Sequence, residues 1–93
     1  MRLDKWLKIS RVIKRRTVAN EACDKDKIKL NQRIAKASSE VHPDDILEIT
    51  MGERHLSVKV LLVPEKGNIT TQDAKSLYEI ISETILDKEV FEN

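Results

Sequence analysis

Cysteine, glycine and aromatic residues are all scarce in this chain of 93 residues. It contains one cysteine, two glycines, and a single tryptophan, tyrosine and phenylalanine. One cysteine excludes an internal disulfide, and two glycines exclude a glycine-rich loop of the kind that holds nucleotide phosphates. Because disulfides persist mainly in oxidising compartments, their absence favours a cytoplasmic protein.

Long hydrophobic segments are absent as well. No apolar run approaches the roughly 18 residues that predict a membrane-spanning helix. At the N-terminus, Arg2, Asp4 and Lys5 interrupt the apolar residues, so the continuous hydrophobic region of a secretory signal is missing. We therefore expect one small cytoplasmic domain with no membrane partner.

Residues that carry catalysis or hold metals are few. The two histidines, His42 and His55, have no cysteine or carboxylate at the spacing of metal ligands. The two adjacent carboxylates that follow Pro43 suit a turn better than an acid pair. Cys23 has no histidine or asparagine pattern of a nucleophile, so we expect a small buried side chain. The sequence predicts no enzymatic activity, no cofactor and no metal.

The charged residues are divided unevenly between the two parts of the chain. Residues 1–36 hold twelve Lys or Arg against four acidic residues, a net charge of +8. Residues 37–93 hold five against twelve, a net charge of −7. A solvated basic face is the simplest explanation of one cationic run, but so many cations in a short N-terminal part indicate a polyanion partner.

Hydrophobic periodicity predicts two helices followed by strands. Leu3, Trp6 and Leu7 have helical spacing, and residues 18–23 predict a second helix with Thr17 as its N-cap. Trp6 is expected in the core, with a base-stacking role as the alternative. Alternating residues predict antiparallel strands in three segments, with turns at Asn31-Gln32 and Gly52-Glu53: Lys27–Leu30, Leu47–Met51 and Leu56–Val60.

The C-terminal part returns to a helical period. From Thr70 or Thr71 to about Lys88, one apolar stripe predicts an amphipathic helix that packs on the sheet or docks a partner protein. The sequence thus predicts an α+β fold, with a domain over 1–64 and a C-terminal extension over 65–93 that does not fold independently. The stripe consists of Ala74, Leu77, Tyr78, Ile81 and Ile85.

Three consecutive cations, Lys14, Arg15 and Arg16, precede the second helix. Cations are unfavourable near the positive end of a helix dipole, by about 0.3–1 kcal/mol each. A bound phosphate removes this conflict, because it accepts hydrogen bonds from the helix N–H groups and from the Arg side chains. We therefore expect a phosphate-bearing partner at these residues.

The segment RLDKWLKISRVIKRRTVANEAC, followed by IKLNQRIAKASSEVHPDDILEI, resembles the S4-like RNA-binding domain. This resemblance implies a pair of helices packed on a small antiparallel sheet, with structured RNA held on the helical face. The matching features are the RLDKWL opening, the Arg-Thr start of the second helix, the Asn after the first strand, and the spacing of Lys36, Ser38, Pro43 and Asp45.

Over its whole length the chain is similar to small stand-alone bacterial members of this family, the RqcP factors of ribosome-associated quality control and the related ribosome-associated heat-shock proteins. The resemblance implies binding to stalled large subunits that carry peptidyl-tRNA, with contacts to 23S rRNA and tRNA. It also implies help to the tailing factor RqcH in adding an alanine tail. Charge and resemblance together predict a protein that is a monomer when free, with these RNA-binding residues: Arg2, Lys5, Arg11, Lys14, Arg15, Arg16, Lys36 and Ser38.

The first hairpin departs from the family pattern. Family members commonly place glycines there, whereas this chain has Asp26 and Asn31-Gln32. Gln32 does not favour left-handed backbone, so a different turn type is expected.

Three other functions remain open at this point. A module for large-subunit assembly or general translation needs the same basic face without a role in tailing. S4-like domains also accompany pseudouridine synthases and tyrosyl-tRNA synthetases, but we expect no catalytic domain to accompany this one. A protein adaptor would depend on the C-terminal stripe instead.

Overall fold

A computed structural model describes residues 1–64 and 71–85 of the chain. Its strands form one antiparallel sheet in the order β2-β1-β3-β4-β5. The predicted α+β fold, with two N-terminal helices and a small antiparallel sheet, is confirmed. The elements are α1 (Leu3–Ile9), α2 (Arg16–Asp24), β1 (Ile28–Leu30), β2 (Arg33–Ile34), β3 (Ile46–Met51), β4 (Arg54–Val60), α3 (Thr71–Ala74) with a 3₁₀ turn (Lys75–Leu77), and β5 (Tyr78–Ile85).

The core lies between the two N-terminal helices and one face of the sheet. Alternate residues of β3, Leu47 and Ile49, are buried, as a strand with one covered face requires. Trp6 is fully buried among them, and its indole N–H donates a hydrogen bond to the Leu62 carbonyl at 3.0 Å. The predicted core position of Trp6 is therefore confirmed, and the base-stacking alternative is excluded by burial.

Cys23 is a buried part of the same core, as predicted. Burial, together with the charges of Asp4 and Asp24, raises the pKa of its thiol to about 11. Since the thiolate is the reactive form, Cys23 is unreactive at neutral pH.

The turn between β1 and β2 is a two-residue turn centred on Asn31 and Gln32, and a difference from the family's usual turn type stays a prediction. Asn31 and Gln32 both have positive φ angles, of 50° and 72°, as a two-residue type I′ hairpin requires. The Asn31 side chain supports the turn, because its oxygen accepts a hydrogen bond from the Ile46 N–H at 2.9 Å and its nitrogen donates one to Asp45 at 3.0 Å. These contacts hold Gln32 in a conformation that it does not favour by itself.

The predicted C-terminal helix is largely wrong. Only Thr71–Ala74 and the 3₁₀ turn are helical, and Tyr78–Ile85 forms β5, paired with β4. This segment is rich in β-branched and aromatic residues, which favour strands, and β4 offers an edge for it to pair with. The predicted start at Thr70 and end near Lys88 lie outside the described residues, as does the boundary at residue 64/65, and the assignment of 65–93 as an extension stays a prediction.

Candidate nucleic-acid interface

Helix α2 begins two residues earlier than predicted. Arg15 is its N-cap, in an extended conformation, and makes no side-chain capping bond, while Arg16 is the first helical residue. Thr17 is therefore not the cap, and the reason is that Arg16 is held in the first turn by an ion pair with Asp4. The shift places both arginines at the helix end where backbone N–H groups lack intrahelical partners.

Asp4 lies beneath the N-terminal cations and forms ion pairs with two of them, Arg2 and Arg16. Its side chain is almost completely buried, yet it accepts four hydrogen bonds. One carboxylate oxygen accepts from Arg2 Nε at 3.2 Å and from the Lys5 backbone N–H at 2.8 Å. The other accepts from Arg16 Nε at 3.3 Å and from the Asn20 side chain at 3.4 Å. A single carboxylate thus joins the start of α1 to the start of α2.

The ion pairs keep Asp4 charged. Burial by itself would raise the pKa of the Asp4 carboxyl, but hydrogen bonds from Arg16 and Asn20 and the charges of Arg16 and Arg2 outweigh it and lower the pKa below its usual value. Both guanidinium groups use Nε for this contact and remain about half exposed. In the described part of the chain their terminal Nη groups have no hydrogen-bond partner, so they are placed to hold another anion.

The loop before β3 brings Lys36 and Ser38 to the same place. Two backbone hydrogen bonds dock this loop on the first turn of α1: the Leu3 N–H donates to the Ser39 carbonyl at 2.7 Å, and the Asp4 N–H donates to the Ala37 carbonyl at 3.1 Å. Lys36 and Ser38 are exposed and line one depression with Arg2. Two side chains from a distant segment therefore join the helical cations.

The eight predicted residues line three depressions. Arg2 belongs both to the depression of Lys36 and to a second one, which it lines with Lys5 and Arg16. Arg15, next in the chain to Arg16, lines a third with Arg11 and Lys14. We call the surface that these residues form the basic surface. It consists of Arg2, Lys5, Arg11, Lys14, Arg15, Arg16, Lys36 and Ser38.

Two lysines outside these depressions have carboxylate partners of their own. Lys25 pairs with Glu21 at 2.8 Å, and Lys59 lies 3.6 Å from Asp44. Within residues 1–64 and 71–85, the only carboxylate that pairs with a cation of the basic surface is Asp4. Asp24 and Asp26 also line the depression of Arg2 and Lys36, but they form no ion pair with its cations, so the basic surface keeps most of its positive charge for a partner.

Sequence reasoning missed Asp4 and Asn20 as parts of this site. The available signal was an acidic residue between two cations in Arg-Leu-Asp-Lys, together with Asn20 four residues after Arg16, on the same side of α2. Their convergence depends on how α1 crosses α2, which no local pattern contains.

We expect Asp4→Asn to reduce both stability and RNA affinity. Loss of hydrogen bonds to a charged group costs about 1–3 kcal/mol of unfolding free energy. Because folding lowers the pKa of Asp4, its contribution is present above its unfolded pKa near 3.8 and is lost as the pH falls through the folded pKa. Urea unfolding between pH 2 and 7 should therefore show a free energy of unfolding that falls less at low pH for the variant than for the wild-type protein.

The RNA affinity of Asp4→Asn distinguishes a positioning role of Asp4 from an effect of net charge. Asp4→Asn makes the surface more positive, which by charge alone strengthens RNA binding. If Asp4 instead positions Arg2 and Arg16, affinity at neutral pH falls by about threefold or more. Tighter binding by a folded variant would refute the positioning role, and Asp44→Asn, which also removes one carboxylate, is the control.

Neither a metal centre nor a membrane segment is found in the part of the chain that the structure describes. There, no group of three or more His, Cys, Asp or Glu side chains is arranged to hold a metal ion. None of the helices in residues 1–64 and 71–85 has the length and apolar character needed to cross a bilayer.

Comparison with known proteins agrees with this architecture. The S4 domain family matches residues 1–47. The chain is 50% identical over 90 residues to the RQC P-site tRNA stabilizing factor of Streptococcus pneumoniae, covering 97% of this chain and 100% of that protein. It is 43% identical over 83 residues to the factor of the same name from Bacillus subtilis, covering 89% and 94%.

A solved structure has the same fold. The trimeric structure of Vibrio cholerae Heat Shock Protein 15 matches with a TM-score of 0.78 at 24% identity, over 88% of this chain and 82% of that one. The sequence match extends over almost the full length of relatives that share one name, and the S4 match covers the segment that builds the basic surface. The chain therefore belongs to the S4 domain family and, within it, to the family of RQC P-site tRNA stabilizing factors.

Proposed function

We propose that this protein is an RNA-binding factor of ribosome-associated quality control that stabilises tRNA on the ribosome and catalyses no reaction itself. The observation that carries the proposal is the basic surface, in which Asp4 holds Arg2 and Arg16 beside the docked loop of Lys36. A family whose members are named for stabilising P-site tRNA provides the setting.

The protein binds a stalled large subunit that carries peptidyl-tRNA, and the basic surface contacts both 23S rRNA and tRNA. Structured RNA is recognised mainly through its backbone and shape, for which guanidinium forks and lysines suffice and aromatic platforms are unnecessary. By holding the tRNA, the protein helps the tailing factor RqcH to add alanine to the unfinished chain in the cytoplasm.

The acidic remainder of the chain fits this arrangement. Residues 37–93 carry a net charge of −7, and several of the acidic residues lie on strands away from the helices, among them Glu48 and Glu79. Negative charge there repels neighbouring RNA, so it favours one orientation of the protein on the ribosome.

We expect binding to isolated large subunits to depend steeply on salt. If about six cations of the basic surface contact phosphates, a plot of log K against log salt has a slope on the order of −4 to −5. Sedimentation with purified large subunits between 50 and 300 mM KCl, chosen to span roughly the usual working range, measures this slope. Binding that hardly changes with salt would contradict an RNA interface built on these cations.

Alanine tailing is tested in cells. Deletion of the gene should reduce alanine tails on truncated nascent chains, and the wild-type protein should restore them. Tails that persist unchanged, with assembly defects in the large subunit, would instead support an S4-like module for assembly or general translation. Restoration by a variant that lacks RNA affinity would contradict the proposed mechanism.

A further inference from the structure

A groove with an apolar floor lies at one end of the basic surface. It has a volume of about 590 Å³ and separates the α1–α2 loop from strands β3, β4 and β5. This volume is within the ~300–1,000 Å³ range of small-ligand sites. The floor is contributed by the apolar parts of Val12, Ile13, Val18, Met51, Leu56, Tyr78 and Ile80.

The rim of the groove is cationic. Arg11, Lys14, Arg15 and Arg54 all line it. Arg54 pairs with Glu83, whereas the other three have no carboxylate partner within the described ranges. The groove therefore combines a surface for a planar apolar group with charges for an anion.

Backbone strain occurs at the same rim. Arg11 has a φ angle of 63°, in the left-handed region that few residues other than glycine adopt. Its N–H donates to the Lys8 carbonyl at 3.1 Å, and the Ile13 N–H donates to the Leu7 carbonyl at 3.1 Å, so the loop is held in place after α1. Strained residues of this kind cost about 1–3 kcal/mol and cluster at ligand sites.

We propose that the groove receives one unpaired nucleotide of the bound RNA. The base packs on the apolar floor beside Tyr78, and the flanking phosphates contact Arg11 and Arg15. Bases that leave a helix are commonly stacked on aromatic rings or guanidinium planes, and both are available here. This inference rests on the proposed function, because it assigns part of the RNA to a particular place.

Continuity of charge favours RNA over a peptide. An acidic peptide also complements an apolar groove with a cationic rim. However, three of the four cations of the rim, Arg11, Lys14 and Arg15, belong to the basic surface, and Arg15 is followed in the chain by Arg16, which lines the depression of Arg2 and Lys5. An RNA that contacts several of these cations brings phosphates to the rim, whereas a peptide confined to the groove leaves the rest of the basic surface unused.

The test compares two RNA hairpins of identical stem. One is fully paired, and the other carries a single bulged 2-aminopurine, whose fluorescence reports the surroundings of that base. We expect the bulged hairpin to bind about tenfold more tightly, the gain typical of one stacked base, with a change in 2-aminopurine emission on binding.

Two neighbouring residues provide a matched pair of variants. Ile80 and Ile81 are 52% and 54% exposed on β5, but Ile80 lines the groove, whereas Ile81 lines a depression with Ile46 and Ser57 on the other side of the sheet. Ile80→Asp should abolish the preference for the bulged hairpin, and Ile81→Asp, with the same change of charge, should retain it. Thermal unfolding of both variants verifies that they are folded.

The outcomes separate this inference from the proposed function. If neither hairpin binds, the proposed RNA-binding function fails. If both bind equally, or if Ile80→Asp and Ile81→Asp behave alike, the nucleotide site is refuted and the RNA interface remains. Binding of a synthetic peptide of alternating Glu and Leu that Ile80→Asp abolishes, without any preference between hairpins, would identify a peptide groove and also overturn the inference.

Discussion

Replacement of Arg15 and Arg16 by alanine is expected to weaken binding to large ribosomal subunits by on the order of 100-fold or more. Each charge-assisted hydrogen bond to a phosphate contributes about 1.5–3 kcal/mol, and both arginines lie where α2 begins. The salt dependence should also become shallower, by about 1.5 in slope, because two fewer counterions are released.

The control for this variant removes two cations elsewhere. Lys25 and Lys59 are paired with Glu21 and Asp44 and lie outside the three depressions that contain the predicted residues. Lys25→Ala/Lys59→Ala changes net charge equally and should reduce affinity by only a fewfold at ~0.15 M salt, since exposed charges beyond a Debye length are screened. Equal losses for both double variants would mean that net charge, and not the basic surface, drives binding.

Arg15→Ala alone distinguishes function from stability. Arg15 is the N-cap, has no acidic partner in the described part of the chain, and lies at the positive end of the α2 dipole. Its removal should leave the free energy of unfolding unchanged or raise it by about 0.3–1 kcal/mol, while RNA affinity falls. Such a result would show that Arg15 destabilises the free protein but strengthens binding. A phosphate between the helix N–H groups and the guanidinium explains both effects.

The largest expected loss of stability follows Trp6→Ala. The indole is fully buried and donates a hydrogen bond to Leu62, so we expect the free energy of unfolding to fall by about 3–5 kcal/mol. The total for a folded domain is typically about 5–15 kcal/mol. Urea unfolding measured by circular dichroism gives this value. A loss below about 1 kcal/mol would contradict the central place of Trp6 in the core.

Trp6→Phe separates packing from the hydrogen bond. Phenylalanine keeps an aromatic ring in the core but leaves the Leu62 carbonyl without the indole donor, so a cost of about 1–3 kcal/mol is expected. RNA affinity of the folded fraction should be nearly unchanged for Trp6→Phe. It should fall for Trp6→Ala, because Arg2, Asp4 and Lys5 belong to the helix that Trp6 packs on the sheet.

Much of the fold was predictable because local periodicity and the buried face agree. In α1, Leu3, Trp6 and Leu7 are all fully buried, as their helical spacing predicts. In β3 and β4, alternate residues such as Leu47 and Val58 are buried, as a period of two predicts. The register with neighbouring strands follows from the same alternation.

The C-terminal segment was not predictable from its pattern. Ala74, Leu77, Tyr78, Ile81 and Ile85 fit a helical stripe, but isoleucines and tyrosine also suit a strand. The edge of β4 decides between these possibilities, because pairing there satisfies backbone groups of Tyr78–Ile85 on both sides of a bulge at Ile81. The segment is compatible with both a helix and a strand, and pairing with β4 selects the strand. The local sequence carries no information about that pairing.

The sequence by itself determined which residues make up the basic surface and where the two N-terminal helices lie. Twelve cations in residues 1–36 and the S4-like motif pointed to the eight residues of the basic surface. Only the tertiary structure decided their arrangement: the burial of Asp4 between Arg2 and Arg16, the docking of Lys36 beside α1, and the groove beneath Arg11. Residue types and spacing follow from the linear chain, whereas contacts between distant segments depend on how α1, α2 and the sheet pack together.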